Sequence, residues 1–250
     1  MAILKQSASF AWSKNLAPNI LHIALKPDQD FKYLPGQFIT LHFTKDGHEI
    51  KRSYSIANPP NSSEYIEFAI SYQKHGVASE QLFNNLKPGD QLPISGPAGR
   101  LVLLDEQPQR YVLVATGTGV TPYRAMLDQI KLLIENSNTK FLLLFGVRNF
   151  TECLYYEDFN NFAKQNRNFQ FEIFYSREMP SQNIIDLSHN TAGHHQGYVQ
   201  TGFSHYDLDP ASDMVYLCGN PNMIDIAYPL LTEYGFTARN VRREKYISSK

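Results

Sequence analysis

A continuous apolar run that leads into a glycine-rich turn is the feature of this 250-residue chain that most constrains its fold. The run is Tyr111–Ala115 (YVLVA), and the turn after it is Thr116–Pro122 (TGTGVTP). The next stretch, Pro122–Ile134, carries apolar residues at the spacing of an amphipathic helix. A buried strand, a tight turn and a helix form the repeating unit of parallel sheets covered by helices. The sequence therefore predicts an α/β arrangement from this point onward.

Further apolar runs and helical stretches follow, and the two kinds of segment alternate along the chain. Strands that alternate with helices indicate a parallel sheet with both faces covered. The predicted strands are Phe141–Phe145, Phe169–Tyr175 and Met214–Cys218, and the predicted helices lie near Tyr156–Gln165 and Ile224–Tyr234.

The chain before about residue 105 has a different pattern. Short runs of β-branched and aromatic residues stand between Pro and Gly residues, which is typical of antiparallel strands in a barrel or a sandwich. Such runs are Phe38–Phe43, Tyr65–Ser71 and Leu101–Leu104. The segment Val77–Leu86 instead has near-helical spacing and ends before Pro88, so we expect one short helix among these strands.

The segment Asp105–Arg110 is short, polar and contains Pro108, and it marks the predicted seam between the two patterns. We therefore expect two domains, an antiparallel β-domain over residues 1–105 and an α/β domain over residues 106–250. Both lengths are close to the ~100–150 residues that are most common for a domain.

The charge balance and the cysteine count exclude several kinds of protein. With 23 Lys+Arg against 24 Asp+Glu there is no broad basic field, so we expect no nucleic-acid binding. No stretch has the ~18 apolar residues of a membrane span and no signal peptide is visible, so we expect a cytoplasmic protein. Cys153 and Cys218 cannot assemble a zinc ribbon or an iron–sulfur cluster. We expect no metal site, and any electron transfer would require an organic cofactor.

The glycine turn has the features of a phosphate-binding loop. Gly117 and Gly119 allow tight turning, and Pro122 suits the first turn of a helix because its missing N–H needs no partner there. The free N–H groups and the dipole at a helix N-terminus favour a phosphate, and the natural ligand is a pyrophosphate. The two glycines alone fit an ordinary strand–helix turn equally well, because Pro122 stands where the full dinucleotide fingerprint has a third glycine.

Five blocks of sequence resemble the ferredoxin–NADP reductase superfamily of flavoenzymes, and they occur in the family's order. The resemblance runs from about residue 35 to the C-terminus. It implies a two-domain protein with a six-stranded antiparallel flavin-binding barrel and a parallel-sheet nucleotide domain, in agreement with the periodicity. The blocks are Arg52-Ser53-Tyr54-Ser55, Gly76-Val77-Ala78-Ser79, Ala115–Leu127 (ATGTGVTPYRAML), Ser176-Arg177-Glu178 and Cys218-Gly219-Asn220-Pro221.

The first two blocks are those that hold flavin in this family. The resemblance implies that Arg52 binds a flavin phosphate, that the Tyr54 ring packs on the isoalloxazine and that Ser55 lies by N5, with Ser53 on the other side of the strand. Without the resemblance, this block would fit an ordinary alternating strand. In the second block, Gly76 allows close approach, and the N–H groups of Val77, Ala78 and Ser79 and the Ser79 hydroxyl bind pyrophosphate. A pyrophosphate site indicates FAD rather than FMN.

The remaining blocks are those that bind NADP(H) in the family. Ser176 and Arg177 match the groups that contact the 2′-phosphate, and Tyr198 matches the tyrosine that stacks on adenine. A second basic residue of the family pattern is replaced by Gln196, so NAD(H) remains an alternative substrate. The neighbouring His194 and His195 either supply the missing charge or are solvated loop residues. The dinucleotide loop itself is assigned to Thr116, Gly117, Thr118, Gly119 and Pro122.

The resemblance assigns three residues, Ser55, Cys218 and Tyr246, to the reacting flavin and nicotinamide rings. Cys218 lies near nicotinamide C4 and positions the ring without acting as a covalent nucleophile, although a buried structural thiol is the ordinary alternative. Gly219 and Asn220 receive the central part of the dinucleotide. Tyr246 is the candidate for the open face of the flavin, and Ser55 completes the set of catalytic candidates.

The activity that the resemblance implies is hydride transfer between NADP(H) and FAD, with single electrons passing to or from a separate carrier. A ferredoxin or flavodoxin is the expected partner, because the chain has no C-x₄-C-x₂-C cluster segment. The alternatives are an NAD(P)H-dependent flavin reductase, the reductase component of an oxygenase, or a non-catalytic regulator built on the same fold. The sequence leaves the oligomeric state open.

The last residues of the chain carry a local excess of positive charge. It forms either a docking surface for an acidic carrier or a solvated tail. The basic residues are Arg239, Arg242, Arg243, Lys245 and Lys250, against a single Glu244.

Overall fold

The computed structural model describes residues 4–104, 108–181 and 191–246. They form two compact units. The first contains the described residues up to Leu103 together with Thr121–Met126, and the second contains those from Leu104 to Val120 and from Leu127 onward. The predicted boundary between residues 105 and 106 stays a prediction, since residues 105–107 lie outside the described part.

The first unit is built on a six-stranded antiparallel sheet in the order β4-β3-β6-β1-β2-β5. The sheet closes where Ile56, just after β4, bridges Phe68 of β5, and where the Ala57 N–H donates to the Glu67 carbonyl at 2.7 Å. The predicted antiparallel barrel with one short helix is confirmed. Its strands are β1 (Leu4–Ala17), β2 (Ile20–Pro27), β3 (Phe38–Lys45), β4 (His48–Ser55), β5 (Ile66–Ser71) and β6 (Gln91–Ala98), and α1 (Val77–Asn84) lies between β5 and β6.

The prediction of a strand over Leu101–Leu104 is wrong. The segment has no ladder partner, although Leu101 and Leu103 are buried. A Cβ added to Gly36 would lie 1.9 Å from the Leu101 carbonyl oxygen, so this backbone packs tightly against a turn. The alternating burial therefore comes from packing and not from strand pairing.

The second unit contains a six-stranded parallel sheet in the order β10-β9-β8-β7-β11-β12. The predicted parallel-sheet α/β domain is confirmed. The strands are β7 (Arg110–Thr116), β8 (Lys140–Val147), β9 (Phe169–Tyr175), β10 (Gly193–Gln196), β11 (Asp213–Gly219) and β12 (Val241–Lys245). The helices of this half of the chain are α2 (Thr121–Ala125), α3 (Leu127–Ser137), α4 (Tyr156–Gln165) and α5 (Pro221–Glu233).

One expectation for this half of the chain is corrected, and one segment left open by the sequence gains a partial description. The single helix predicted over Pro122–Ile134 is interrupted at Met126, and a 3₁₀ turn over Gly117–Val120 precedes it. Part of the C-terminal basic segment is a strand, because Val241–Lys245 form β12 and pair with β11, while Lys250 lies outside the described residues. Within β12 the Arg243 guanidinium lies 3.9 Å from the Tyr228 ring centroid, and Lys245 pairs with Asp225.

A charged group that is only 14% exposed lies in the wall of the barrel. The Glu67 carboxylate lies 3.0 Å from His22 Nε2 and 3.6 Å from Arg124 Nη1, and the Trp12 ring stacks on His22 at 5.5 Å. Burial acts to raise the pKa of Glu67, but the hydrogen bond from His22 and the positive Arg124 outweigh it, so this pKa lies below its ordinary value. Ionised Glu67 therefore stabilises the first unit.

Replacing this carboxylate should make stability less dependent on pH. A lowered pKa in the folded state means that the stabilisation is present above the unfolded value of about 4.3 and is lost as pH falls through the folded value. We expect Glu67→Gln to lower the free energy of unfolding by about 1.5–3 kcal/mol at neutral pH. Urea unfolding at a series of pH values should show that this difference shrinks in acid.

The matched control for that series is Glu64→Gln. Glu64 pairs with Lys26, but both side chains are more than half exposed, so the pair contributes little. A Glu67→Gln defect that stays constant from neutral to acid pH would contradict the electrostatic interpretation.

Candidate functional site

The loops that follow β7 and β11 lie in direct contact at the carboxyl edge of the parallel sheet. The Asn220 N–H donates to Thr116 Oγ1 at 3.0 Å. A Cβ added to Gly119 would lie 2.3 Å from the Cys218 carbonyl oxygen, and one added to Gly219 would lie 2.5 Å from the Thr116 carbonyl oxygen. Gly219 also has a φ of +125°, which side chains other than glycine rarely adopt. Both glycines are therefore required where the two loops meet.

The outer side of the first loop is open. Gly117 has a φ of +54°, and a Cβ added there would meet no atom within 4 Å. Thr118 beside it is half-buried. The two glycines of this loop thus differ in their effect. Gly119 allows the two loops to pack against each other, whereas Gly117 gives the loop an open surface that a ligand can approach. Pro122, also predicted to belong to this loop, is the second residue of α2 and is buried.

The helix after β11 begins directly at the same edge. Asn220 caps α5, because its side-chain oxygen accepts the Asn222 N–H at 2.8 Å, and Pro221 occupies the first turn. Free N–H groups and the positive end of the helix dipole therefore lie beside the two joined loops. This arrangement suits the phosphates of a dinucleotide.

Two of the predicted catalytic residues meet in the same unit. Cys218 is fully buried, and the Tyr246 side chain hydrogen-bonds its thiol, while the Tyr246 N–H donates to the Gly219 carbonyl at 2.8 Å. Burial and the nearby Glu244 raise the pKa of the Cys218 thiol well above its ordinary value. The thiol is therefore neutral, which agrees with a positioning group and not with a nucleophile.

A second predicted group follows β9. The Ser176 hydroxyl donates to the Val147 carbonyl at 3.1 Å, and the Arg177 N–H donates to the Arg148 carbonyl at 3.1 Å. The Arg177 side chain is exposed. Arg148, which the sequence motifs did not indicate, is half-exposed beside it and forms two contacts with Glu152, at 2.7 and 2.5 Å. The structure thus adds a second arginine at this end of the sheet.

The two histidines expected in a solvated loop belong to a strand instead. His194 and His195 lie in β10, where His194 Nδ1 is 2.7 Å from the Tyr175 hydroxyl and His195 Nε2 is 2.5 Å from Glu172. Burial lowers the pKa of His194. Tyr198, just beyond β10, is 64% exposed and therefore offers a free aromatic face.

The predicted flavin residues lie at the end of β4 in the first unit. The Tyr54 ring is half-buried and stacks on Phe68 with centroids 5.0 Å apart. Burial raises the pKa of its hydroxyl, so the side chain is neutral. Ser53 points away and hydrogen-bonds Thr40 at 2.9 Å, as predicted, and Ser55 is buried. The Arg52 guanidinium donates to the Lys51 carbonyl at 2.7 Å and has no ion pair within the described part of the chain.

The helix α1 starts at Val77, as expected for a pyrophosphate site. Its first N–H groups, on Val77, Ala78 and Ser79, have no carbonyl within the helix to receive them. Ser79 Oγ accepts the Gln73 N–H at 3.0 Å and so shapes the preceding turn. Glu80 adds a negative charge to this turn, and a hydrogen bond from the Tyr72 hydroxyl is the main cause of its lowered pKa.

The donor sets of the two units fit the two cofactors. The first unit offers a guanidinium, a flat aromatic ring and helix N–H groups, and a Cβ at Gly76 would fill the turn by approaching Ser79 Oγ to 3.0 Å. The second offers two joined loops, a capped helix start, two arginines and an exposed tyrosine. These are the groups that bind phosphates and flat heterocycles.

Two negative observations concern the described residues alone. Residues 4–104, 108–181 and 191–246 contain no group of three or more His, Cys, Asp and Glu side chains placed to hold a metal ion. None of the helices in these ranges has the length and apolarity that a membrane span requires.

Comparison with known proteins gives two family matches. An oxidoreductase FAD-binding domain matches residues 9–103, and an oxidoreductase NAD-binding domain matches residues 113–228. Ferredoxin–NADP reductase B of Sorangium cellulosum is 31% identical over 220 residues, which cover 86% of each chain. The reductase component of phenol 2-monooxygenase from Pseudomonas sp. strain CF600 is 28% identical over 94% of this chain, which spans only 64% of that relative.

A solved structure gives the same fold. Ferredoxin NADP⁺ reductase from Neisseria gonorrhoeae superposes with a TM-score of 0.81 at 19% identity, over 97% of this chain and 99% of that one. The chain belongs to the ferredoxin–NADP reductase superfamily, and it contains an oxidoreductase FAD-binding domain and an oxidoreductase NAD-binding domain.

The two glycines of the loop should differ in their effect on stability. We expect Gly119→Ala to cost about 3 kcal/mol, because its Cβ would strike backbone atoms. Gly117→Ala should cost only the about 1–2 kcal/mol of a left-handed backbone, since the space around it is open. Unfolding in urea without nucleotide measures both values. Equal losses would show that the contact between the loops does not constrain Gly119.

Proposed function

We propose that the protein is an FAD-dependent NADPH oxidoreductase that exchanges single electrons with a separate ferredoxin or flavodoxin. The observation that carries the proposal is the combination of both domains in one chain that matches a ferredoxin–NADP reductase over 86% of each length. Bound FAD supplies the step that converts a hydride from nicotinamide into single electrons. The residues of the chain bind and orient the cofactors for that step.

The flavin assignments rest on the chemistry of the first unit. In this proposal Arg52 binds a flavin phosphate, because its guanidinium has no carboxylate partner within the described residues. The Tyr54 ring would hold the isoalloxazine by stacking, and Ser55 would contact the flavin at N5. The N–H groups of Val77, Ala78 and Ser79 receive the pyrophosphate, with Gly76 allowing its approach.

The nucleotide assignments rest on the second unit. The joined loops, which include Thr116, Gly119 and Gly219, and the start of α5 at Asn220 receive the phosphates. Tyr198 stacks on the adenine. The Cys218 thiol, neutral and hydrogen-bonded by Tyr246, would hold the nicotinamide ring in position, and Tyr246 is the residue proposed for an aromatic contact with the flavin.

A preference for NADPH over NADH is supported by positive charge after β8 and β9. Arg177 and Ser176 bind the 2′-phosphate in this proposal, and Arg148 adds the second charge that Gln196 does not supply. Glu152 neutralises part of the Arg148 charge, so the preference is moderate.

A second candidate, the reductase component of an oxygenase, is favoured by one observation. The reductase component of phenol 2-monooxygenase from Pseudomonas sp. strain CF600 is 28% identical over 94% of this chain, and the phenol hydroxylase P5 protein of Acinetobacter pittii is 29% identical over the same share. The chain spans 64% of each, so their partners do not transfer directly. Both candidates share the NADPH-to-FAD step and differ in the acceptor.

The test compares acceptors with the FAD-loaded protein and NADPH. We expect rapid reduction of a plant-type ferredoxin or a flavodoxin, and flavin that stays bound through gel filtration. Turnover only with an oxygenase component would support the second candidate. Reduction of free flavin alone, with FAD behaving as a dissociable substrate, would contradict both.

Removing Arg177 should affect the two nicotinamide nucleotides differently. We expect Arg177→Ala to raise KM for NADPH by about tenfold, which equals about 1.4 kcal/mol, and to leave KM for NADH almost unchanged. Arg167→Ala is the control, because this exposed arginine lies just before β9 and Arg177 lies just after it. Steady-state kinetics measure both constants. An equal rise for the two nucleotides would remove Arg177 from the 2′-phosphate site.

A further inference from the structure

Glu172 in β9 is a buried carboxylate that the assignments above leave without a role. Only 7% of the residue is exposed. Its oxygens lie 2.7 Å from the Gln170 amide nitrogen and 2.5 Å from His195 Nε2, and the Tyr206 hydroxyl lies near the carboxylate, 3.4 Å from the same His195 nitrogen. Burying a charge costs free energy unless hydrogen-bond donors surround it, so each of these contacts stabilises the local structure.

The neighbouring strand leaves room for this carboxylate. Gly193 lies opposite Glu172 in the β9–β10 pairing, and a Cβ added to Gly193 would lie 1.8 Å from Glu172 Oε2. Any other residue at position 193 would have to displace the carboxylate or the edge strand. The position of the Glu172 carboxylate therefore requires glycine at residue 193.

The contacts of Glu172 lie on both sides of Tyr198 along the chain. His195 precedes Tyr198 in β10, and Tyr206 follows the 3₁₀ segment Val199–His205 that begins just after it. The Phe174 ring stacks on His195 at 4.7 Å, and a Cβ on Gly202 would approach that same ring to 2.3 Å. The segment that contains the exposed Tyr198 therefore packs against β9 both before and after this residue.

We propose that Glu172 is a positioning residue that holds the segment from His195 to Tyr206 in the shape that receives the adenosine half of the nucleotide. The proposal rests on the function proposed above. Because the carboxylate binds His195 at one end of the segment and Tyr206 at the other end contacts that same histidine, the segment is ordered before the ligand arrives, and binding does not have to order it. Glu172 acts through Tyr198 and does not touch the ligand itself.

The test is Glu172→Gln in the FAD-loaded protein. The amide is nearly the same size but brings donors of its own to a site that needs an acceptor. We expect KM for NADPH and the dissociation constant for NADP⁺ to rise by about tenfold, while kcat stays near the wild-type value. Reduced nicotinamide mononucleotide, which lacks the adenosine half, should reduce the flavin at the wild-type rate.

Two further variants keep the test decisive if Glu172→Gln folds poorly. Tyr206→Phe removes one donor, and Gly193→Ala pushes on the carboxylate from the opposite strand. Both should weaken NADP⁺ binding in the same direction and spare the mononucleotide.

Two results would overturn the proposal. One is an unchanged dissociation constant for NADP⁺ in Glu172→Gln. The other is an equal loss with NADPH and the mononucleotide, which would show a general structural role. Failure of the proposed function has a different signature, because the wild-type protein would then oxidise neither donor.

Discussion

The close contact between the loops after β7 and β11 is the constraint on which the nucleotide-binding unit depends. Parallel strands bring both loops to one edge of the sheet, but only a missing side chain at Gly119 and at Gly219 lets them meet. That contact places the start of α5 beside the first loop and fixes the backbone on either side of Cys218. Helix N–H groups and an open loop face then lie together, an arrangement that suits the phosphates of a dinucleotide.

Much of the fold could be predicted because its strands carry strong local signals. β7, β8 and β11 each contain a continuous apolar run, which is typical of buried parallel strands. β12 was missed because its sequence, VRREK, is mostly charged. The strand forms because Val241 is buried, Arg243 contacts the Tyr228 ring and Lys245 pairs with Asp225. These contacts join segments that are distant in the sequence, so hydrophobic periodicity could not indicate them. The strand predicted over Leu101–Leu104 was wrong for the opposite reason. Its alternating apolar residues are buried by packing against the turn at Gly36 and not by strand pairing.

The part of the candidate site that could be predicted consists of residues that lie within recognisable sequence motifs. Thr116, Gly119, Cys218 and Gly219 lie in two blocks, and strand order alone brings these blocks to one edge. Pairs between distant segments were not predictable. Arg148 lies beside Arg177, and His195 meets Glu172, only because β8, β9 and β10 are neighbours. The roles of these residues toward FAD and NADPH stay predictions until ligands are measured.

We infer that the protein oxidises NADPH with a bound flavin. An anaerobic titration of the FAD-loaded protein with NADPH, followed by the visible absorption of the flavin, tests this directly. We expect complete bleaching at a stoichiometric amount of NADPH, with a higher concentration of NADH needed for the same rate. A flavin that stays oxidised in excess NADPH and in excess NADH would contradict it.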